Sequence, residues 1–381
     1  MENYDVIVVG CGLSGAVIAR QYAEKKKKVL IWDRRKHIGG NMYDYVNEHG
    51  ILVHMYGPHT FHTKKKQLFE YVSKFAEWEK YNLTCGAQIN GKYTPTPFNF
   101  QTIDDFYDEK KANMIKTAIK QEYPDRKFAT VLELLNNKNN LIREYAQFLF
   151  KNDYSLYTAK QWGVSPEEID PSVLKRVPIR FNYDVGYFDD EYQYMPTNSY
   201  VNFFNNILNH SNITVELGVE ALDRIHLDED NKEIVIDNNR FDGILVYTGA
   251  IDELFKNKYG KLPYRSLEFK WVTEEKKSFQ QAPVVAYPQE KDFTRITEYT
   301  KLPVQNVGEK TTYAIEYSIP YKNNKRNEPY YPVLTEESAN IYQQYKEEAT
   351  KYKKMILSGR LADFKYYNMD QALERALSQC E

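Results

Sequence analysis

The stretch that most constrains this chain is Val6–Ala19, VIVVGCGLSGAVIA. Four apolar, mostly β-branched residues read as a buried strand. Gly10, Gly12 and Gly15 then stand in G-x-G-x-x-G spacing at the head of a helical run to about residue 25, and KVLIWD, ending at Asp33, reads as a second strand. Each glycine has its own steric task. Gly10 permits the tight turn, Gly12 lets the backbone approach a pyrophosphate, and Gly15 lets helix pack closely on strand. The helix N-terminus offers unpaired N–H groups and a partial positive charge to phosphate oxygens. Asp33 follows Gly15 by 18 residues, where an acid accepts hydrogen bonds from ribose hydroxyls. Strand, turn, helix, strand and acid in this order make a βαβ nucleotide unit. The order alone does not separate NAD from FAD.

At 381 residues the chain calls for two or three domains. Helical periodicity runs from about residue 102 to 175, as in LIREYAQFLFKNDYSLY. LEFKWVTEE, APVVAYP and TTYAIEYSIP alternate and are rich in β-branched and aromatic residues, which favours an antiparallel sheet. EIVIDNNRFDGILVYTGA (233–250) reads as a hairpin followed by a buried strand, and 354–377 repeats the order strand, glycine, helix. The expected class is therefore α/β, with a discontinuous Rossmann-like domain (1–78, 205–262 and 331–381), an inserted helical domain (97–175) and an antiparallel β-sheet domain (79–96, 176–204 and 263–330).

Several function classes are disfavoured. A net charge of −2 gives bulk electrostatics no hold on nucleic acid. Cys11, Cys85 and Cys380 are far apart with no CxxC pair, and there is no HExxH, so neither a disulfide framework nor a zinc site is expected; His59 and His62 lack partners as metal ligands. Glu2 and Asp5 sit where a signal peptide needs positive charge, and no apolar run approaches the ~20 residues that span a bilayer, so a cytoplasmic protein is expected. Lys25 to Lys28 read as solvated charge at a turn. The 33 tyrosines, against 19 phenylalanines, supply hydroxyls able to bind phosphate.

Gly39, Gly40 and Asn41, shortly after the acid in RRKHIGGNMY, resemble the FAD proteins of the amine-oxidase type. More widely, HIGGNMY, YGPHTFHT (56–63), YTAKQWG (157–163), KRVPIRFNYDVGYF (175–188), YRSLEF (264–269), TRITE (294–298), EPYYPV (328–333) and GRLADFKYYNMD (359–370) stand in an order that resembles the prokaryotic UDP-galactopyranose mutases. That resemblance implies a flavoenzyme that interconverts the pyranose and furanose forms of UDP-galactose without net redox change, N5 of reduced FAD attacking C1 of the sugar to form a covalent adduct. It also implies a reduced nicotinamide, NAD(P)H, as electron donor, a homodimer, and a role in surface glycan synthesis.

The resemblance assigns roles residue by residue. Arg176, Arg265 and Arg295 are the expected cations on the diphosphate, with Arg176 on a loop that closes over it and Arg176 and Arg295 essential for turnover. Tyr187, Tyr331 and Tyr366 match phosphate-binding tyrosines, Tyr157 a platform for the uracil, and Trp162 a wall of the sugar pocket. His62 is the first candidate for tuning the flavin near N5, His59 the second, and Arg360 contacts the flavin cofactor. Asn368 stands where the family has Asp, in the substrate site. NLTCGAQING (82–91) lacks the Asn and Pro that lie beside the sugar in the family, Leu83 or Thr84 falling there, so a mutase of UDP-N-acetylgalactosamine, alone or as well as UDP-galactose, is the near alternative. A flavin oxidase on the same fold and a sugar-nucleotide binding protein without turnover are the alternatives of other classes.

Overall fold

The computed structural model describes residues 4–163, 177–322 and 327–380. Strand β1 (Val6–Val9) runs into helix α1 (Leu13–Glu24) and strand β2 (Val29–Asp33). A hairpin of β3 (Cys85–Ile89) and β4 (Lys92–Thr96) leads into the helices α2 (Phe100–Phe106), α3 (Glu109–Glu122), α4 (Val131–Leu135) and α5 (Asn140–Leu149). In α5 the buried residues Ile142, Tyr145, Ala146 and Leu149 fall on one face at helical spacing. A π-helical turn, Phe150–Tyr154, joins α5 to α6 (Ser155–Trp162), which stops at Gly163 in the left-handed region, φ +69°.

The chain then returns to sheet. Helix α7 (Tyr200–Leu208) is capped by Ser199 and leads to β5 (Ile213–Leu217), and β6 (Ile244–Tyr247) follows a small hairpin. Next come β7 (Tyr264–Glu274), β8 (Val284–Ala286), β9 (Arg295–Glu298), β10 (Thr311–Pro320) and β11 (Tyr331–Pro332). Strand β12 (Met355–Leu357) and helix α8 (Met369–Ser378) close the described chain.

Two sheets organise these elements. The first has the order β5-β2-β1-β6-β12 and is parallel throughout, with Val6 opposite both Val29 and Ile244. Alternate residues of its strands enter different cores: Val6, Val8, Val29, Ile31 and Val246 one, Ile7, Leu30, Trp32, Leu245 and Tyr247 the other. A parallel sheet covered on both faces needs this near-continuous apolar run, which is why the strands showed no polar alternation in the sequence.

The second sheet has the order β11-β7-β10-β9-β8-β3-β4. It departs from the expected antiparallel sheet at one join, where β8 pairs parallel with β3, Val284 opposite Cys85. The two strands are separated in sequence by the whole helical segment, and a parallel pair needs such a long crossover where a hairpin would force the opposite direction. The helical segment has its own core, including Ile115, Val131, Tyr145 and Leu149, and Ala87 and Ile89 of β3 enter it as well.

Candidate active site

The parallel sheet ends in a cleft at the carboxyl edges of β1, β2, β6 and β12, where open α/β sheets place their ligands. Gly10, Gly12 and Gly15 line it with Asp33, Gly39, Gly40, Asn41, Thr248, Gly359 and Arg360. Gly10 adopts φ +102°, and a Cβ there would lie 2.1 Å from Thr248 Oγ1. The second glycine pair packs on the first loop. Gly39 N–H donates to Cys11 O at 2.9 Å, and a Cβ on Gly40, φ +55°, would meet Gly12 Cα at 2.8 Å. Glycine in both stretches leaves a bare-backbone cradle that side chains would fill.

Asp33 ties the loop to the strand end, its Oδ2 accepting from Cys11 N–H at 2.7 Å and its Oδ1 from Arg35 N–H at 2.8 Å. Arg35 in turn donates to Asn41 Oδ1 at 3.0 Å. On the other wall Arg360 donates to Tyr367 O at 2.7 Å, and its guanidinium lies 4.8 Å from the ring centre of Tyr366. Asn368 also lines this cleft, at the N-cap of α8, where its N–H donates to Gln371 Oε1 at 2.9 Å.

The two histidines lie in different surroundings. His59 lines the cleft; His62 does not. The His62 ring stacks on Phe188 at 3.5 Å, and its Nδ1 is paired with Asp190. It lies in a short strand, Phe61–Thr63, opposite Gln193, so its position is set by that pairing. His59 Nδ1 bonds Gly57 O at 2.9 Å; a carbonyl only accepts, so the proton sits on Nδ1 and Nε2 keeps its lone pair. Burial, with the Arg360 and Arg295 cations nearby, pulls His59 down to about 4 against the help of that hydrogen bond, so the ring is neutral at pH 7.

A second cluster adjoins the cleft through these cations. Tyr157 on α6 lies within electrostatic range of Arg295, Glu316, Tyr187 and Tyr331, and burial raises its hydroxyl. Tyr331 and Tyr366 have ring centres 5.9 Å apart, and Tyr331 interacts with Arg265. The structure thus brings Tyr157, Tyr187, Arg265, Arg295, Tyr331 and Tyr366 together. Trp162 ends α6, and Arg176 lies outside the described residues.

The two described arginines of the cluster differ in one physical respect. Arg295 is matched: Glu316 Oε2 accepts from its Nε at 2.9 Å and its Nη2 at 2.8 Å. Burial works against that cation, and Glu316 more than offsets the penalty, holding it well above its ordinary value. Arg265 is 7% exposed, and among the described residues no carboxylate pairs with it. Its donors rest on the neutral oxygens of Gln161, Lys160 and Ser318, and burial pulls it down from its ordinary value. A buried cation without an anion is costly, and an anionic ligand removes that cost.

Sequence reasoning overlooked Glu316, Ser318 and Lys160. Glu316 faces Arg295 directly across the β9–β10 ladder. Period-two spacing puts Glu316 and Ser318 on one face of β10, which was readable; the register that aims that face at the arginines was not. Lys160 stands three residues after Tyr157 on α6, hence on a neighbouring face. Its ammonium donates to the carbonyls of Tyr287, Pro288 and Glu290 at 2.6, 3.2 and 2.5 Å, fastening α6 to the turn before β9.

Fold and site together define an α/β protein with a dinucleotide cleft at the strand ends and, beside it, an aromatic pocket charged to receive an anion. The model of the UDP-galactopyranose mutase family matches residues 149–366, more than half the chain, and the model of the NAD(P)-binding Rossmann-like domain matches residues 8–75. The chain belongs to the UDP-galactopyranose mutase family, a family of isomerases. It is 34% identical to the dTDP-fucopyranose mutase of Escherichia coli over 98% of this chain and 96% of that protein, and 34% identical to the UDP-galactopyranose mutase of Mycoplasma genitalium over 100% and 95%. A solved structure of reduced UDP-galactopyranose mutase superposes with TM-score 0.75 at 15% identity, covering 100% of this chain and 93% of that one. No helix of the described residues is long and apolar enough to cross a membrane.

Proposed function

We propose that the protein interconverts UDP-galactopyranose and UDP-galactofuranose, with reduced FAD in the glycine-lined cleft. The observation that carries this reading is the buried, anion-less Arg265 beside Tyr331, whose ring adjoins Tyr366, in the cluster that also holds Arg295 and adjoins the dinucleotide cleft. Bound there, reduced flavin supplies a nucleophile, N5, to C1 of the galactose and so a covalent route to ring opening and reclosure.

The chain's own residues do the rest. Gly10, Gly12, Gly15, Gly39 and Gly40 leave the backbone bare for the cofactor's pyrophosphate, Asp33 and Asn41 take its polar edge, and Arg360 faces the flavin end. His59, neutral and with Nε2 free to accept, is placed to take a hydrogen bond at the flavin edge, and His62, stacked on Phe188, shapes the neighbouring wall. Arg265, Arg295 and Arg176 stabilise the departing diphosphate, helped by the hydroxyls of Tyr187, Tyr331 and Tyr366. Tyr157 stacks on the base, and Trp162 bounds the sugar. Asn368, lining the dinucleotide cleft, serves the junction of cofactor and substrate. In this reading the dinucleotide domain (1–78, 205–262, 331–381) holds FAD, while the helical (97–175) and sheet (79–96, 176–204, 263–330) segments hold the nucleotide sugar. NAD(P)H as reductant and a homodimer in the cytoplasm complete the proposal; free, buried Cys11, Cys85 and Cys380 fit a reducing compartment.

A second reading, a dTDP-6-deoxysugar as substrate, is favoured by the 34% identity to the dTDP-fucopyranose mutase. One experiment separates them. Enzyme reduced with dithionite is incubated with UDP-galactofuranose, UDP-N-acetylgalactosamine or dTDP-fucose, and the products are resolved chromatographically. Isomerisation of the UDP-galactose pair by reduced enzyme alone supports the proposal. Equal activity of oxidised enzyme, or no sugar-modified flavin after cyanoborohydride quenching during turnover, refutes the flavin chemistry.

A further inference from the structure

The last carbonyls of a helix have no partner inside it and must find donors elsewhere. At the end of α6 those donors come from the diphosphate cluster. Arg265 Nε reaches Gln161 O at 3.1 Å and its Nη2 reaches Lys160 O at 3.5 Å, while Tyr331 OH donates to Gln161 O at 3.3 Å. Between them sits Ser318. Its hydroxyl donates to Gln161 O at 2.6 Å and accepts from Arg265 Nε at 3.2 Å and Nη2 at 3.0 Å. Its backbone carbonyl takes a further bond from Nη2 at 2.8 Å. A serine hydroxyl has one proton to give and two lone pairs, and here the proton goes to the helix end while lone pairs face the guanidinium.

The third nitrogen of Arg265 is treated differently. Nη1 has no hydrogen-bond partner among the described residues, and it faces Gly163, where a Cβ would lie 2.5 Å away. Two nitrogens are thus spent on orientation, and one is left to meet an oxyanion. Tyr157 stands one helical turn before Gln161 on the same α6, so whatever fixes Arg265 to Gln161 O also fixes the distance between the cation and the base platform.

We propose that Ser318 is a positioning residue for the nucleotide-sugar diphosphate: its hydroxyl locks Arg265 onto the end of α6, so that the unmatched cation and the Tyr157 ring form one rigid gauge for a base and its diphosphate. The inference rests on the reading of this cluster as a nucleotide diphosphate site. It predicts an effect confined to ligands that carry the diphosphate.

The test uses the FAD-loaded full chain and measures competition binding of UDP, dTDP and the parent nucleosides. Ser318→Ala should weaken diphosphate binding about tenfold, the loss of one charge-assisted hydrogen bond, and leave nucleoside binding unchanged. Ser318→Thr, which keeps the hydroxyl, should restore the wild-type value. In an Arg265→Met background Ser318→Ala should add nothing further, because its action runs through that arginine. Equal weakening of nucleoside and diphosphate would mean that Ser318 only caps α6, and would overturn the proposal. So would full additivity with Arg265→Met. Ser318 is half-buried, and the flavin absorbance and melting temperature of each variant report its fold. Wild-type enzyme that binds neither diphosphate refutes the site itself; wild-type enzyme that binds one of them, and is matched by Ser318→Ala, refutes only the positioning role.

Discussion

Two arginines proposed to act on the same ligand should differ in what they contribute to the stability of the protein that carries them. In Arg295→Met the buried carboxylate of Glu316, 2% exposed, loses both of its charged donors and keeps Thr294 Oγ1 at 3.5 Å. Breaking a buried pair from one side costs about 3–5 kcal/mol. In Arg265→Met no carboxylate is abandoned. Gln161 O keeps the Ser318 and Tyr331 hydroxyls, at 2.6 and 3.3 Å, and the bonds lost are those to Gln161 O, to Lys160 O, to Ser318 O and, from two nitrogens, to the Ser318 hydroxyl. Each is a net contribution of about 1 kcal/mol, and removing a buried, unmatched cation returns several. The net change should lie near zero, leaving a gap of about 3 kcal/mol or more between the two variants. Both should weaken UDP binding by about 2–5 kcal/mol, the usual cost of truncating a buried charged partner. Urea-unfolding free energies of the FAD-loaded proteins, measured beside UDP titrations, give both quantities. If Arg265→Met is destabilised as much as Arg295→Met, the distinction between matched and unmatched cation is wrong; if either binds UDP like wild type, that arginine leaves the site.

Two further perturbations probe the cleft. A methyl at Gly15 would sit 2.0 Å from Gly10 O, so Gly15→Ala should cost about 1–3 kcal/mol by overpacking and yield protein with a depressed ratio of 450 to 280 nm absorbance. Gly50→Ala, with nothing within 4 Å of the new Cβ but a left-handed backbone at φ +77°, should lose a little stability through strain and keep its flavin, which separates strain from loss of the cradle. His54, 0% exposed, accepts from His59 N–H at 3.1 Å through Nδ1, and its Nε2 has no partner among the described residues. Burial, reinforced by His59, pushes His54 down from 6.5 to about 3. The unfolded chain therefore takes up a proton below pH 6.5 that the folded chain refuses, and stability falls as pH drops through that window towards 3. At pH 5 this one group should cost about 2 kcal/mol, and His54→Asn should lack that part of the acid sensitivity. Identical slopes for the two proteins would show that His54 does not titrate in this way.

What the sequence alone determined is local. The strand, glycine turn and helix of residues 6–24, with Asp33 closing the next strand, were legible because sterics within a few residues demand them: a positive φ at Gly10 and a close backbone approach at Gly15 admit no other residue. The amphipathic α5 was readable for the same reason, since periodicity acts within one helix. Tertiary structure decided what depends on register and crossover. It set the parallel join of β8 to β3, the pairing of Arg295 with Glu316 across a ladder, and the meeting of Arg265 with Ser318 and the end of α6. It also set where His59 and His62 lie, which three residues of separation could not show: strand pairing put one ring on Phe188 and left the other in the cleft. Side-chain contacts between distant segments are chosen by how whole sheets align, and a strand shifted by one residue presents its other face, so the charges of the site had to wait for the fold.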